Sequence, residues 1–572
     1  MCLLLNWLPS PDPVRLLVKV QQIVFTSSLL PPKSTMQSFL QYRRMRASVK
    51  SDLAHVRVKA AGTSSPNSSS LETKEVPDGD VSQSNDLEKD KTWASALGVR
   101  ISRPAEDDGS VAYLVDWKDG DPQNPHNWKR SQKWACTFAV CLLTLAITIP
   151  SSIDAPVAEA FNDHFGVSPM AGSMTTGMYL LGTGFGALFA GTVSETFGRN
   201  VMYMTTFVVF MLFILAKAMA PNFGGAIVFR FLTGFFGSTP MTAAGGTIAD
   251  MWSPLEMIFC VPVGAMTSYA GPIVGPILGA YLPQIGFRWA DWLALIIAGA
   301  VLAYVFLFQP ETYRPILLEW KAKHLRDLTG DARYRVEEHA ATSTLAKRLL
   351  VNLYRPFVMT YTEPIILIFT FYLTVIYFVL FAFLNGYPFI FEQTYGISHS
   401  MTFILWVALL VGDLAALPLI PLIYGWAKKA AVKGTLTPEL CLWYGMLGGS
   451  IMLPISLWWL AWTCYSDISI WVPIVGSAFF GYGLVTIFTT TFLYTVFVYG
   501  VHSASALAFM TCVRYIIAGA LVPASIPMYQ NLGPHKALTI PAALATVLAP
   551  VPFLLYKYGA RIRGASKNAM RH

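Results

Sequence analysis

The chain has 572 residues, 54% apolar and only 13% charged, with a mean hydropathy of +0.48. Soluble domains carry roughly a quarter charged residues, so this composition excludes an ordinary soluble fold. The net charge of +8 does not signal nucleic acid, because the basic residues sit in tails and in loops between apolar segments, where lipid topology accounts for them.

Residues 1–130 read as a cytosolic N-terminal tail. Ser, Asp, Lys and Pro dominate from Ser48 to Asp121, with too little apolar surface to offset ordering entropy, so disorder is expected there. The opening Met1 to Pro32 is more apolar, but Lys19, Gln21, Gln22 and prolines interrupt it. No small-residue cleavage site follows, which argues against a signal peptide, and a start at Met36 or Met45 would remove the segment altogether. Apolar stretches of membrane-crossing length then fall near 133–156, 169–190, 200–220, 225–248, 258–282 and 289–309, forming an N-terminal six-helix bundle over 131–310. A charged cytosolic middle loop occupies 311–360. Six further stretches, near 364–386, 400–424, 439–462, 468–492, 503–526 and 537–557, form a C-terminal bundle over 361–558, and 559–572 is a cytosolic tail.

Lys129, Arg130, Lys133, Arg199, Lys428, Lys429, Lys433, Lys557, Arg561, Arg563 and Lys567 share one side, against chiefly Arg288 and Lys536 opposite, which puts both termini in the cytosol. The fold class is therefore an all-α membrane protein, twelve transmembrane helices in two six-helix bundles, with a substrate site between the bundles near the midplane.

An ionised side chain at a helix centre costs about 2.5 to 3.5 kcal/mol on insertion scales, so each one needs a reason. Asp154 and Arg230 fall at similar depth toward the outer side, and Asp413 and Arg514 both fall near mid-membrane. A carboxylate beside an arginine stays ionised until a proton or a cationic substrate competes for it, which would serve proton coupling; the same pairs would also serve as static packing. Lys217, near the end of its span, is expected to snorkel. Tyr377, Asn385, Trp406 and Tyr482 gather in the second half and suit a cavity for flat, partly apolar ligands, although packing or lipid-facing roles account for aromatic residues equally well. The seven cysteines have no paired spacing, the nine histidines show no metal-ligand spacing, and no nucleophile with a nearby base lies in a span. An enzyme, a metal site and a cofactor are accordingly not expected.

The loop Gly191-Thr-Val-Ser-Glu195-Thr-Phe-Gly198-Arg199-Asn200 resembles the signature G-x-x-x-[DE]-x-x-G-R-[RK] of the major facilitator superfamily, with Asn200 in place of the second basic residue. Gly271-Pro272-Ile-Val-Gly275-Pro276-Ile-Leu-Gly279-Ala280 resembles the fifth-span signature of its antiporter branch, and Arg230-x-x-x-Gly234 the fourth-span signature. Asn124-Pro125-His126-Asn127-Trp128, Pro310-Glu311-Thr312-Tyr313 and Arg561-x-Arg563 narrow the likeness to fungal twelve-span drug:proton antiporters. Pro438-Glu439-Leu440-Cys441 is similar to a P-E-x-R element, with Cys441 replacing the arginine.

The resemblance implies a major facilitator fold and a conformational latch built from Gly191, Glu195, Gly198, Arg199 and Asp250. It also implies an antiporter helix, marked by Gly271, Gly275, Pro276 and Gly279, that can bend and pack tightly against the other bundle. The implied function is proton-coupled export of drugs, toxins or secondary metabolites by a plasma-membrane monomer whose partners are protons, the bilayer and a small lipophilic or cationic substrate. Uptake of a small metabolite or polyamine by proton symport is the alternative on the same fold.

Overall fold

The computed structural model describes residues 35–62, 97–102, 112–336, 354 and 363–566. The apolar opening Met1 to Pro32 and Lys567 lie outside the described residues.

Within hydrocarbon every backbone N–H and C=O must find a partner inside its own segment, and the apolar runs accordingly wind into helices. The first half contains Arg130–Thr148, Pro169–Phe197, Arg199–Ala218, Phe223–Met251, Pro254–Gly279 and Trp289–Phe308. Their starts are written in the sequence: Ser168 and Asn222 accept from the backbone N–H of Ala171 and Gly225, and Ser253 with Glu256 forms a capping box beside Pro254. The second half opens with Pro364–Tyr387, which runs on through a π-helical turn, Pro388–Glu392. The predicted eighth span comes in three pieces, His399–Ile404, Val407–Leu414 and Leu419–Val432, followed by Gly449–Thr463 and Trp471–Tyr499. The last two predicted spans share one helical stretch, Ser503–Leu548, broken only where Gly533 takes φ 72 and ψ 164.

Nine segments among the described residues are long and apolar enough to cross a membrane. Pro169–Phe197 and Phe223–Met251 are not among them, because glycine, serine and threonine dilute their hydropathy. Those small residues serve close packing instead. A Cβ on Gly182 would lie 2.0 Å from the carbonyl oxygen of Phe231, and one on Gly234 would lie 2.1 Å from that of Tyr179, so these two helices touch backbone to backbone. The second half repeats the device, with Gly412 against the Ala478 carbonyl at 1.8 Å and Gly481 against that of Leu409 at 2.2 Å.

The tail before residue 130, expected to be disordered, is ordered in part. Met36–Gly62 is a helix, and Val99–Ser102, Ala112–Val115 and Tyr334–Arg335 form a small sheet, antiparallel then parallel. Residues 311–360, read as a loop, contain the helix Arg314–Thr329. These pieces share one apolar cluster: Met45 and Val49, one helical turn apart, pack with Val99, Val115, Leu317 and Trp320. The tail thus offsets its ordering entropy on a partner surface that its own composition does not reveal.

Candidate functional site: a central cavity, an end latch and a buried charge cluster

At one end of the bundle a single residue, Gly198 with φ +88, separates the second and third helices. The third helix therefore starts at Arg199 with its backbone donors exposed, and Glu311 covers them. Its Oε1 accepts from the N–H groups of Arg199 (3.2 Å), Thr312 (2.9 Å) and Tyr313 (2.9 Å), and its Oε2 from that of Asn200 (3.1 Å). This is a carboxylate seated on a helix N-terminus. Burial pushes the Glu311 carboxyl above the usual carboxylate range, against the pull of those four N–H groups.

The Arg199 side chain leaves this site, donates to Asp250 at 3.0 Å and to Ser194, and lies over the Tyr313 ring. Gly246 makes room for it, since a Cβ there would meet the guanidinium at 2.7 Å. Arg199, Gly198 and Asp250 thus come together as a latch, Gly191 lies at the cavity rim, and the Glu195 side chain lies outside the described residues. Glu311 was visible only as part of a motif, with no role attached. Asn200, the departure from the family pattern, holds the N-terminal helix: its Nδ2 donates to Thr35 Oγ1 (2.9 Å), to Ser38 and to the Gln309 carbonyl (2.9 Å). Gln41 adds a two-way amide pairing with the Glu311 backbone at 3.0 and 3.1 Å.

Arg199→Ala frees a partly solvated Asp250, so protein yield should be retained while the transport rate falls at least fivefold. Transport per mole of folded protein in vesicles checks this, and an unchanged rate would make the loop a turn with no latch.

Toward the other end, Asp154 and Arg230 meet at 2.8 Å, and the same Asp154 oxygen takes Lys217 at 2.8 Å. Lys217 also reaches Asp291 at 2.7 Å. Lys217 therefore does not snorkel: with its side chain 4% exposed it bridges two carboxylates inside the bundle. Asp291 was missed because it stands in the first turn of its helix, where an acid reads as an N-terminal charge. Two acids and two bases make the cluster neutral overall.

The predicted proximity of Asp413 and Arg514 is not found. Among the described residues no cation pairs with Asp413, which is 1% exposed and whose Oδ1 has no hydrogen-bond partner. Arg514 instead lies over the rings of Tyr377 and Phe488 (5.0 Å each) and Tyr515 (5.2 Å). It lines a cavity of about 390 Å³ between the halves, which runs from Tyr269, Tyr377 and Arg514 at mid-depth to Gly191, Arg199 and Ser503 at the latch end.

The opposite end is closed. Gly177 and Gly519 bring the second and eleventh helices together, a Cβ on either lying 2.7 Å from the other's carbonyl oxygen, and His399 Nε2 meets the Pro156 carbonyl at 2.9 Å across the two halves.

Of the four residues proposed to contact substrate, only Tyr377 lines the cavity. Asn385 donates to Val522 O and Ser525 Oγ, Trp406 is fully buried against Tyr387, and Tyr482 donates weakly to Leu447 O, so these three fasten helices to one another.

The antiporter helix packs against the second half, Tyr444 donating to its Ile258 carbonyl at 3.0 Å, while its glycines face the first helix. A Cβ on Gly271 would lie 1.8 Å from Thr148 Oγ1, on Gly275 2.2 Å from Ser152 Oγ, and on Gly279 2.9 Å from the Ile153 carbonyl, all on the first helix or just beyond it, in the same bundle. Pro276 stands within this helix beside Gly275. Gly275→Val should destabilise the protein by about 1–3 kcal/mol through overpacking. Gly264→Ala, where the nearest atom is Ile248 Cδ1 at 3.5 Å, should not. Thermal unfolding in detergent compares the two, and equal midpoints would show that this face is loosely packed.

Residues 137–523 match the family model of the Major Facilitator Superfamily. The MFS-type transporter kojT of Aspergillus flavus is 39% identical, covering 93% of this chain and 100% of its own. The MFS-type efflux pump MFS2 of Trichophyton rubrum is 34% identical over 82% of this chain and 80% of its own. The solved proton:xylose symporter XylE shares the fold, with a TM-score of 0.53 at 15% identity, covering 75% of this chain and 96% of XylE. The chain belongs to the major facilitator superfamily, and it is a multi-pass membrane transporter.

Proposed function

We propose that the protein is a proton-coupled exporter of small lipophilic drugs, toxins or secondary metabolites, working by alternating access with twelve crossings and both termini in the cytosol. A monomer in the plasma membrane suffices for this. The observation that carries the reading is the cavity itself, open at the end bearing the Lys- and Arg-rich loops and closed at the other, together with a buried carboxyl, Asp413, whose Oδ1 has no partner among the described residues. The opening admits solute from the cytosol. An ionised carboxylate buried without a cation costs several kcal/mol, and a proton carried on Asp413 would remove that cost in this form. Release of that proton belongs to a form in which the site is hydrated, which is how a proton cycle and a solute cycle become one. Names among the relatives, an efflux pump included, support the outward direction.

Uptake by proton symport uses the same fold, as in XylE. A pH-sensitive dye inside inside-out vesicles separates the two. Substrate added to the bath should make the lumen more alkaline under antiport, because protons leave as substrate enters. Acidification would establish symport, and no change would remove proton coupling.

A further inference from the structure

Arg514 is the one charged side chain in the deep part of the cavity, and among the described residues no carboxylate lies within ion-pair distance of it or anywhere in the cavity lining. The only other charged lining residue, Arg199, is held at the rim by Asp250. Arg514 is 6% exposed and its Nε has no hydrogen-bond partner. The aromatic walls do not neutralise it: Tyr377, Phe488 and Tyr515 offer ring faces at 5.0 to 5.2 Å, which attract a cation without supplying a compensating charge. Tyr269 completes the box, its ring 5.0 Å from Phe488 and 5.7 Å from Tyr377, and its hydroxyl has no partner either.

We propose, resting on the transporter reading above, that this box is the binding site for a small planar organic anion, a carboxylate carried on a flat ring. Each part of that description follows from one feature. The guanidinium presents parallel N–H donors matched to two oxygens, and in a site of low dielectric its attraction for an anion is far stronger than in water. Tyr269, Tyr377, Phe488 and Phe492 line the cavity with aromatic carbon that suits a flat apolar body. A cavity of about 390 Å³ limits the solute to small-molecule size. The same charge repels cations, and among the described residues no acid in the lining offsets Arg514.

Equilibrium binding of radiolabelled salicylate and of radiolabelled tetraphenylphosphonium to the purified full-length protein tests the assignment. The unmodified protein should bind salicylate and hold tetraphenylphosphonium at least tenfold more weakly. Arg514→Gln should lose at least tenfold in salicylate affinity, Arg514→Lys should lose less, and tetraphenylphosphonium should bind the Gln variant no more weakly than the unmodified protein. The melting temperature of each variant reports folding separately. Equal salicylate affinity in folded Arg514→Gln, tighter binding of the cation by the unmodified protein, or no salicylate binding at millimolar concentration would each overturn the proposal. Binding does not depend on coupling, so the two readings fail separately. Salicylate that binds through Arg514 but does not move with protons leaves the anion site and removes the exporter. Proton-driven accumulation of tetraphenylphosphonium without salicylate binding does the reverse.

Discussion

Asp154→Asn should reduce the amount of folded protein severely, because it leaves Lys217 and Arg230 facing Asp291 alone inside the bundle. Removing one partner of a buried ion pair costs about 3–5 kcal/mol, a large part of a total stability of about 5–15 kcal/mol. Here one oxygen of Asp154 serves both cations, so its loss breaks two pairs at once. Lys217→Met added to Asp154→Asn restores a balance of one acid and one base and should recover part of the loss. The coupling between the two substitutions, read from melting temperature and monodisperse yield, would then be at least 1 kcal/mol. Normal yield from the single substitution would show the cluster to be hydrated and labile, and would return Asp154 to the candidates for proton carriage.

Asp413→Asn should act in the opposite way, leaving the protein folded and removing uphill transport. The amide has the shape of the neutral acid, and no cation is left unpaired by it among the described residues. Coupling one charge to export is worth about 2.3 kcal/mol per 100 mV, which is about fifty-fold in sustained gradient at 1.36 kcal/mol per tenfold. That gradient should collapse at least tenfold in Asp413→Asn while downhill exchange of labelled for unlabelled substrate continues. Full uphill transport by this variant would place the coupling proton elsewhere.

The structure separates two charge pairs that the sequence put on one footing, and the reason is physical. Depth along a helix can be counted from the sequence, which is why Asp154 and Arg230 are found in contact. Azimuth around the helix cannot be counted when every face is apolar, so Asp413 and Arg514, matched in depth, turn to different neighbours. The same blindness to azimuth hid the burial of Lys217. The helix start at Pro169 was legible, whereas the one at Pro254, behind the Ser253 cap, comes four residues before the 258 read from the apolar run, because a cap and its first turn are polar. The order in the tail was not, because Met45 and Val49 are too few to fold alone and their partners, Leu317 and Trp320, lie far along the chain. Asn200 shows a motif departure acquiring a use: its short, uncharged amide donates to Thr35 and to the Gln309 carbonyl where the family pattern has a longer, charged side chain.

The central claim is proton-driven export, and substrate accumulation in inside-out vesicles with an acidic lumen tests it most directly. Labelled substrate should rise in the lumen above its bath concentration, and a proton ionophore should return it to equality. Equilibration to the bath concentration and no further, indifferent to the ionophore, would contradict proton coupling and leave a facilitator.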